Sequence, residues 1–312
     1  MTTICVLGGS GFVGRHVCAA LAARGYRVRV PTRSRERAKF LTTLPTVEPL
    51  AADVHDAATL KELLRGCDAV INLVGVLHGG RGNASFADGH TELARKLVAA
   101  CRETGVRRLL HMSSLNAKAD APSEYLRTKG EAESIVRASG LDFTIFRPSI
   151  LFGREDKFLN LFAQLLKSFP LLIVPAAQAR FQPVSVGDVA HVFADALTRQ
   201  DSIGQSYDLC GPKIYTMQAL AEFVAHTTGH KRMIFGADSL LTNIMAFGME
   251  CLPGKMMSLD NVRSMTVDSV CSSGCAFPFG IVPESLEAVA PAWLAHRTPR
   301  GRYAHFRDRT QT

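Results

Sequence analysis

The sequence predicts a doubly wound α/β fold, a parallel sheet flanked by helices, followed by a smaller and mostly helical cap. Three observations carry this. The chain opens on an apolar run, Ile4 to Leu7, that leads directly into Gly8-x-x-Gly11-x-x-Gly14 and then into the helical spacing Phe12, Val13, Val17, Leu21. Short apolar runs alternate with helical periods as far as Arg147. The run Ala69 to Val74 reads as a strand buried on both faces, the pattern of a parallel sheet.

Taken in order, the strand and glycine turn are followed by a first helix and by a second strand, Arg27 to Val30, which runs out into Pro31-Thr32-Arg33-Ser34-Arg35. Pro45 to Leu50 gives the third strand, ahead of Ala52-Asp53. A helix with Leu60, Leu63 and Leu64 on its apolar face leads to the fourth strand, and Leu93, Leu97, Val98 and Cys101 mark the next helix. Arg108 to Met112 is the fifth strand, Glu124 to Ala138 a helix and Phe143 to Phe146 the sixth strand. This alternation implies right-handed crossovers, with ligand sites at the carboxyl ends of the strands. Beyond Arg147 the helices are expected at Lys157 to Lys167, Asp188 to Thr198, Met217 to Thr228 and Ser239 to Cys251. The expected division is a dinucleotide-type domain over 1–150, whose sheet can recruit a strand from 180–210, a cap over 151–295, and a basic, flexible tail over 296–312. Gly79-Gly80-Arg81-Gly82 reads as a lid or as a plain surface loop.

At 312 residues and 47% hydrophobic content the chain can bury a substantial core. Eight cysteines are scattered without a C-x-x-C or a His/Cys cluster, so they are expected to be reduced, with neither zinc nor a disulfide framework. The net charge of +8 is uneven: Arg297, Arg300, Arg302, Arg307 and Arg309 stand against Asp308 in the tail. That tail reads as a solvated terminus or as an arm for an anionic membrane surface or an acidic partner. No nucleic-acid partner is expected. No apolar run is long enough to span a bilayer and no signal peptide precedes the first strand, so the expected location is cytoplasmic, with peripheral contact on the inner face of a membrane left open.

The glycines have separate jobs: Gly8 permits the tight turn, Gly11 lets backbone N–H groups reach a pyrophosphate, and Gly14 allows close helix packing. Gly8, Ser10, Gly11, Phe12, Val13 and Gly14 are therefore the candidate phosphate cradle, aided by the positive end of the helix. No acid stands at the end of the second strand before Glu36, whereas Arg33 and Arg35 can offer charge-assisted bonds to a 2′-phosphate, which favours NADP(H) over NAD(H). Asp53, with Val54, can accept from an adenine amino group or be an ordinary turn residue. Val74-Gly75 ends the fourth strand where a cofactor could approach the backbone. Tyr125 and Lys129 lie one helical turn apart on one face, so the ammonium can lower the phenol pKa for general acid/base work and also bond a nicotinamide ribose. No metal site and no hydrolase elbow is visible.

These motifs, GGSGFVG, Asp53-Val54, HMSSLNA, YLRTK, Arg147-Pro148-Ser149, PVSVGDVA and YDLCGP, resemble the extended branch of the short-chain dehydrogenase/reductases, a Rossmann-type family. Within it, SEYLRTKGEAE, FRPSILFG and SLDNVRSM are similar to an atypical group that includes the nucleotide-binding accessory subunit of respiratory complex I and its bacterial relatives. The resemblance implies tightly held NADPH, peripheral association with a membrane-bound respiratory complex and a quinone-related role. It also places Pro148 and Ile150 beside the nicotinamide and calls for a serine that bonds the substrate carbonyl. Ser113 is the candidate, although the extended branch places that serine slightly later, nearer Leu115 and Asn116. Arg147 can instead pair with an acid, and Asp188 can cap the helix it opens. Three readings follow: an accessory or nucleotide-sensing protein, an active NADPH-dependent reductase or sugar-nucleotide epimerase or dehydratase using Tyr125 and Lys129, and a redox-sensing regulator.

Overall fold

In the computed structural model, residues 1–76, 79, 85–251, 257–272 and 275–295 are described, apart from the side chains at 37 and 249–251. In chain order the elements are β1 (Thr3–Leu7), α1 (Phe12–Ala23), β2 (Arg27–Thr32), β3 (Val47–Ala51), α2 (Ala57–Leu64), β4 (Ala69–Asn72), α3 (Leu93–Thr104), β5 (Arg108–Met112), α4 (Glu124–Arg137) and β6 (Asp142–Pro148). There follow β7 (Leu151–Phe152), α5 (Leu159–Ser168), β8 (Leu171–Val174), β9 (Arg180–Phe181), β10 (Val184–Ser185), α6 (Val186–Ala196), β11 (Gln205–Leu209), β12 (Tyr215–Thr216) and α7 (Met217–Thr228). Then come β13 (Met233–Gly236), α8 (Ser239–Cys251), α9 (Leu259–Ser264), α10 (Leu286–Val289) and α11 (Pro291–Leu294).

The chain divides into two units, and each is discontinuous in sequence. The first comprises Met1–Pro148, Val186–Leu209 and the segment that ends at Ile281. Its seven strands form one parallel sheet in the order β11-β6-β5-β4-β1-β2-β3. Strand order reverses between β1 and β4, so their carboxyl ends flank the crevice where α/β sheets take ligands. Cys5, Leu7, Val70, Leu109 and Ile145 on the strands pack on Leu60, Leu64, Leu97 and Val136 of the helices, all buried. Each such Leu or Ile contributes about 1.5–3 kcal/mol on burial, so this apolar layer holds the polar groups above it in place.

Helix boundaries follow their caps. Asp56 accepts from the Thr59 N–H at 2.8 Å to open α2, and the buried Ser123 accepts from the Leu126 N–H at 3.2 Å to open α4. A π-helical turn, Ala87–Glu92, leads into α3. Past Met112 the β5–β6 ladder continues, with the Ser113 N–H donating to the Phe146 carbonyl at 2.7 Å and that of Leu115 to Pro148 at 3.1 Å.

The second unit comprises Ser149–Ser185, the stretch from Cys210 and the segment that opens at Val282. Helices α5 and α7 pack around Leu166, Val174, Leu220 and Val224. The sequence reading missed its short strands: β7 pairs with β10 and β8 with β13 in parallel, and β9 with β12 antiparallel. The expectation that every cysteine is reduced is corrected here. Cys210 and Cys271 form a disulfide across a sequence separation of 61, a pairing that two isolated cysteines do not announce. Cys5, Cys18, Cys67 and Cys101 are free and buried. No helix among the described residues is long and apolar enough to cross a membrane, and no group of metal ligands is found among them. Most of the Gly79-Gly80-Arg81-Gly82 loop and the tail 296–312 lie outside the described residues.

Candidate functional site

The glycine turn is shaped by close backbone contacts. Gly8 has φ +77°, the left-handed region that favours glycine, and its Cα faces the Leu73–Val74 peptide, where a Cβ would come within 3.0 Å. A Cβ on Gly14 would collide with the Gly8 carbonyl oxygen and reach 2.5 Å from Gly9 Cα, so the first turn of α1 rests on the loop itself. Gly11 caps α1 without a side-chain hydrogen bond, and no acid lies in the first helical turn. The positive helix end and its N–H groups, which have no intrahelical acceptor, therefore suit an anion. Ser10 and Phe12 are half-buried at this turn, and Val13 is buried beneath it. A diphosphate fits a cradle that is glycine-lined and free of acidic side chains.

Arg33 and Arg35 are exposed just beyond β2. Register sets Thr32 of β2 opposite Ala51 of β3, so Arg33 and Asp53 leave adjacent strands at the same sheet edge. Asp53 is exposed and accepts from the His55 N–H at 3.0 Å, an Asx turn. Val54 and Val74 are half-buried against the core of the first unit.

The centre of the site is Lys129. It is 1% exposed, and its Nζ donates to the carbonyls of Val74 at 3.3 Å and Met112 at 3.0 Å, bridging the ends of β4 and β5. A Cβ on Gly75 would lie 3.6 Å from this ammonium. Burial pulls Lys129 down to about 8, with Glu133 opposing. One turn earlier, Tyr125 is half-buried. Burial raises its phenol pKa, and a hydrogen bond with the Ser114 side chain opposes the rise. Ser113, the candidate from sequence, is 2% exposed, and its hydroxyl has no hydrogen-bond partner. The structure thus brings together Tyr125, Lys129 and Ser114, with Ser113 next in the chain.

Beneath these groups runs a polar network that sequence reasoning did not find. Asn72 and His111 are paired in the β4–β5 register, and Asn72 Nδ2 donates to His111 Nδ1 at 3.3 Å while its Oδ1 accepts from the Val74 N–H at 3.1 Å. His90, on the π-helical turn, accepts from the Val76 N–H through Nε2 at 3.0 Å. Its Nδ1 lies 2.9 Å from Thr128 Oγ1, whose own proton goes to the Glu124 carbonyl at 2.9 Å or the Tyr125 carbonyl at 3.1 Å. Only the neutral ring protonated at Nδ1 satisfies both contacts. Burial, with Lys129 next, pushes His90 down to about 2 and His111 to about 3. His90 also meets the Tyr125 ring edge-on at 5.5 Å. The segment Val74–Val76 is thereby strapped to α4 from both sides. An asparagine and a histidine in otherwise apolar strands were the available signals; His90 left none.

Arg147 forms a two-pronged pair with Glu133, Nε to Oε1 at 2.8 Å. Pro148 ends β6, while Ile150 belongs to the second unit and packs against its core. Asp188 lies buried in the first turn of α6. A half-buried phenol bonded to a serine and one turn from a lysine whose pKa burial lowers to about 8 has the composition needed to exchange a proton with a carbonyl oxygen.

Comparison with known proteins matches residues 8–200 to a family described as NAD(P)H-binding. The chain is 31% identical over 308 residues to the mitochondrial NADH dehydrogenase (ubiquinone) 1 alpha subcomplex subunit 9 of Arabidopsis thaliana, covering 93% of this chain and 76% of that one. The same subunit of Rattus norvegicus is 33% identical over 237 residues, covering 73% of this chain and 62% of that protein. A nucleoside-diphosphate-sugar epimerase from Staphylococcus aureus superposes with a TM-score of 0.66 at 19% identity, covering 85% of this chain and 88% of the other. That last likeness speaks for the fold.

Proposed function

The chain belongs to the NAD(P)H-binding family, and on that premise we propose that it holds NADP(H) as an accessory or nucleotide-sensing protein of respiratory complex I or of quinone metabolism. The observation that carries this reading is the state of the Tyr125–Lys129 pair. Burial moves the phenol away from neutrality, and the ammonium commits two of its three donors to the Val74 and Met112 carbonyls. Such a site holds a nicotinamide better than it turns one over. Bound NADPH would supply a hydride. In this reading Gly8, Ser10, Gly11, Phe12, Val13 and Gly14 take the pyrophosphate, Arg33 the 2′-phosphate, and Asp53 and Val54 the adenine end. Val74, Gly75, Lys129 and Pro148 lie toward the nicotinamide. The likeness to subunits of a mitochondrial complex supports a respiratory partner.

The test is calorimetry with NADPH and NADH. NADPH binds more tightly, and Arg33→Ala lowers NADPH affinity roughly ten- to hundredfold while leaving NADH unchanged, the loss expected for a hydrogen bond to a charged group. Equal affinity for the two nucleotides overturns the NADP(H) assignment. A second reading, an active reductase or epimerase, is favoured by the Ser114–Tyr125 hydrogen bond beside Lys129. A reductase requires net NADPH oxidation in a carbonyl and quinone screen, and an epimerase requires interconversion of a sugar nucleotide without net change of its dinucleotide; in either case Tyr125→Phe abolishes turnover without loss of NADPH affinity.

A further inference from the structure

We propose that the second unit docks on an anionic lipid surface, through the open face of its β8–β13 ribbon and the outer stripe of α8. The ribbon has one dry face and one wet one. Leu172 and Val174 turn inward, 7% and 0% exposed, and pack with α5 and α7. Register pairs Leu171 with Met233 and Ile173 with Phe235, so all four stand on the other face. They are 40%, 62%, 37% and 55% exposed, and Phe169, just before β8, is 53% exposed. Four large apolar side chains in register on a solvent-facing ribbon are not the residues of a freely hydrated surface.

Helix α8 repeats the arrangement. Thr242 and Ala246 are buried, whereas Leu240, Ile244 and Phe247, spaced i, i+4, i+7, are 60–70% exposed. No charged residue occurs from Ser239 to Gly248. The helix is fixed beyond the carboxyl ends of the two strands, where the Ala237 N–H donates to the Val174 carbonyl at 2.9 Å and the Ala176 N–H to Thr242 Oγ1 at 3.0 Å. Its 13 residues are too few to cross a bilayer, so it lies along a surface.

Charge identifies the surface. Because β8 and β13 are parallel, the residues that precede them share one end of the ribbon, and there Lys167, Lys231 and Arg232 are all exposed. Neither 167–174 nor 230–236 contains an acid. Asp238, the nearest acid beyond β13, accepts from the Leu241 N–H at 2.8 Å. An apolar face bordered at one end by cations matches the acyl boundary and phosphate headgroups of an anionic membrane. All of these residues lie in the second unit, so the surface is independent of any dinucleotide held by the first.

The full-length protein is sedimented with vesicles of phosphatidylcholine alone and with equimolar phosphatidylcholine and phosphatidylglycerol. It binds the second, not the first, and added salt weakens the binding. The pairs Ile173→Glu with Phe235→Glu and Ile244→Glu with Phe247→Glu each abolish binding, with the thermal transition unchanged because all four sites are exposed. Lys167→Glu and Lys231→Glu each weaken binding about fivefold or more, the value of one cation near such a surface. No binding to phosphatidylglycerol vesicles overturns the proposal. So does undiminished binding by both apolar variants, binding lost only on deleting 296–312, or a concentration-dependent dimer that the variants dissolve without any vesicle binding.

Discussion

Ser113 and Ser114 are neighbours in sequence with opposite surroundings, and the difference sets what each can do. The Ser114 hydroxyl bonds the Tyr125 side chain, whereas that of Ser113 is buried without a partner. Removing an unsatisfied buried hydroxyl is neutral or stabilising, so Ser113→Ala leaves the melting temperature level or raises it. Ser114→Ala instead removes a hydrogen bond that opposes the rise of the phenol pKa, and ultraviolet titration of Tyr125 moves upward. Alternation along β5 could not reveal which serine meets α4, because strand order and helix placement decide that. The buried histidines make stability depend on pH. Folded pKa values of about 2 for His90 and about 3 for His111 lie below the unfolded value, so the unfolded chain binds more protons as pH falls. Stability is complete above about pH 6.5 and declines below it, by up to about 1.4 kcal/mol per pH unit for each ring. Thermal melts from about pH 7.5 to 5.5 give this slope, and His111→Gln reduces it. A slope unchanged in the variant rejects neutral burial of His111.

At the scale of elements, the glycine turn and the helix it opens were legible because Gly8, at φ +77°, and Gly14, packed against the loop backbone, answer requirements that other residues do not meet. Gly14 is the sharpest case. A methyl there meets backbone atoms of Gly8 and Gly9 that cannot move away without breaking the turn, while a methyl on Gly11 meets the Gly8 oxygen at 3.2 Å, a tight contact that a shift of a few tenths of an ångström relieves. Gly14→Ala therefore costs about 1–3 kcal/mol and removes dinucleotide binding, and Gly11→Ala is the milder change in both, as melts and calorimetry will show. The parallel sheet was legible from its apolar runs, although β4 stops at Asn72 rather than Val74. There the asparagine side chain takes the Val74 N–H that a longer ladder would have used. The short strands of the second unit were not legible. A two-residue strand carries no period, and its pairing depends on contacts such as the Gln182 N–H to Ser269 carbonyl bond at 3.1 Å, far apart in sequence.

Across the whole molecule, the chain passes between its units several times, at Pro148–Ser149, Ser185–Val186, Leu209–Cys210 and again after Ile281. No single cut separates them, yet each unit has its own means of stabilisation. The proposed dinucleotide cradle lies wholly in the first, and the Cys210–Cys271 disulfide wholly in the second. A ligand that binds only folded protein adds about 2.7 kcal/mol at a hundred times its dissociation constant. Closing a loop across a separation of 61 residues contributes up to about 4 kcal/mol through the unfolded chain. Calorimetric scans with NADPH, with reductant and with both distinguish two kinds of molecule. If the units melt separately, NADPH raises one transition and reductant lowers the other, and each leaves its neighbour in place. If they melt together, one transition responds to both, upward to NADPH and downward to reductant, and the shifts add because cradle and disulfide share no residues. Cys210→Ser with Cys271→Ser reproduces the reductant effect and is itself insensitive to reductant. A double variant as stable as the parent shows that the bridge contributes nothing to the fold.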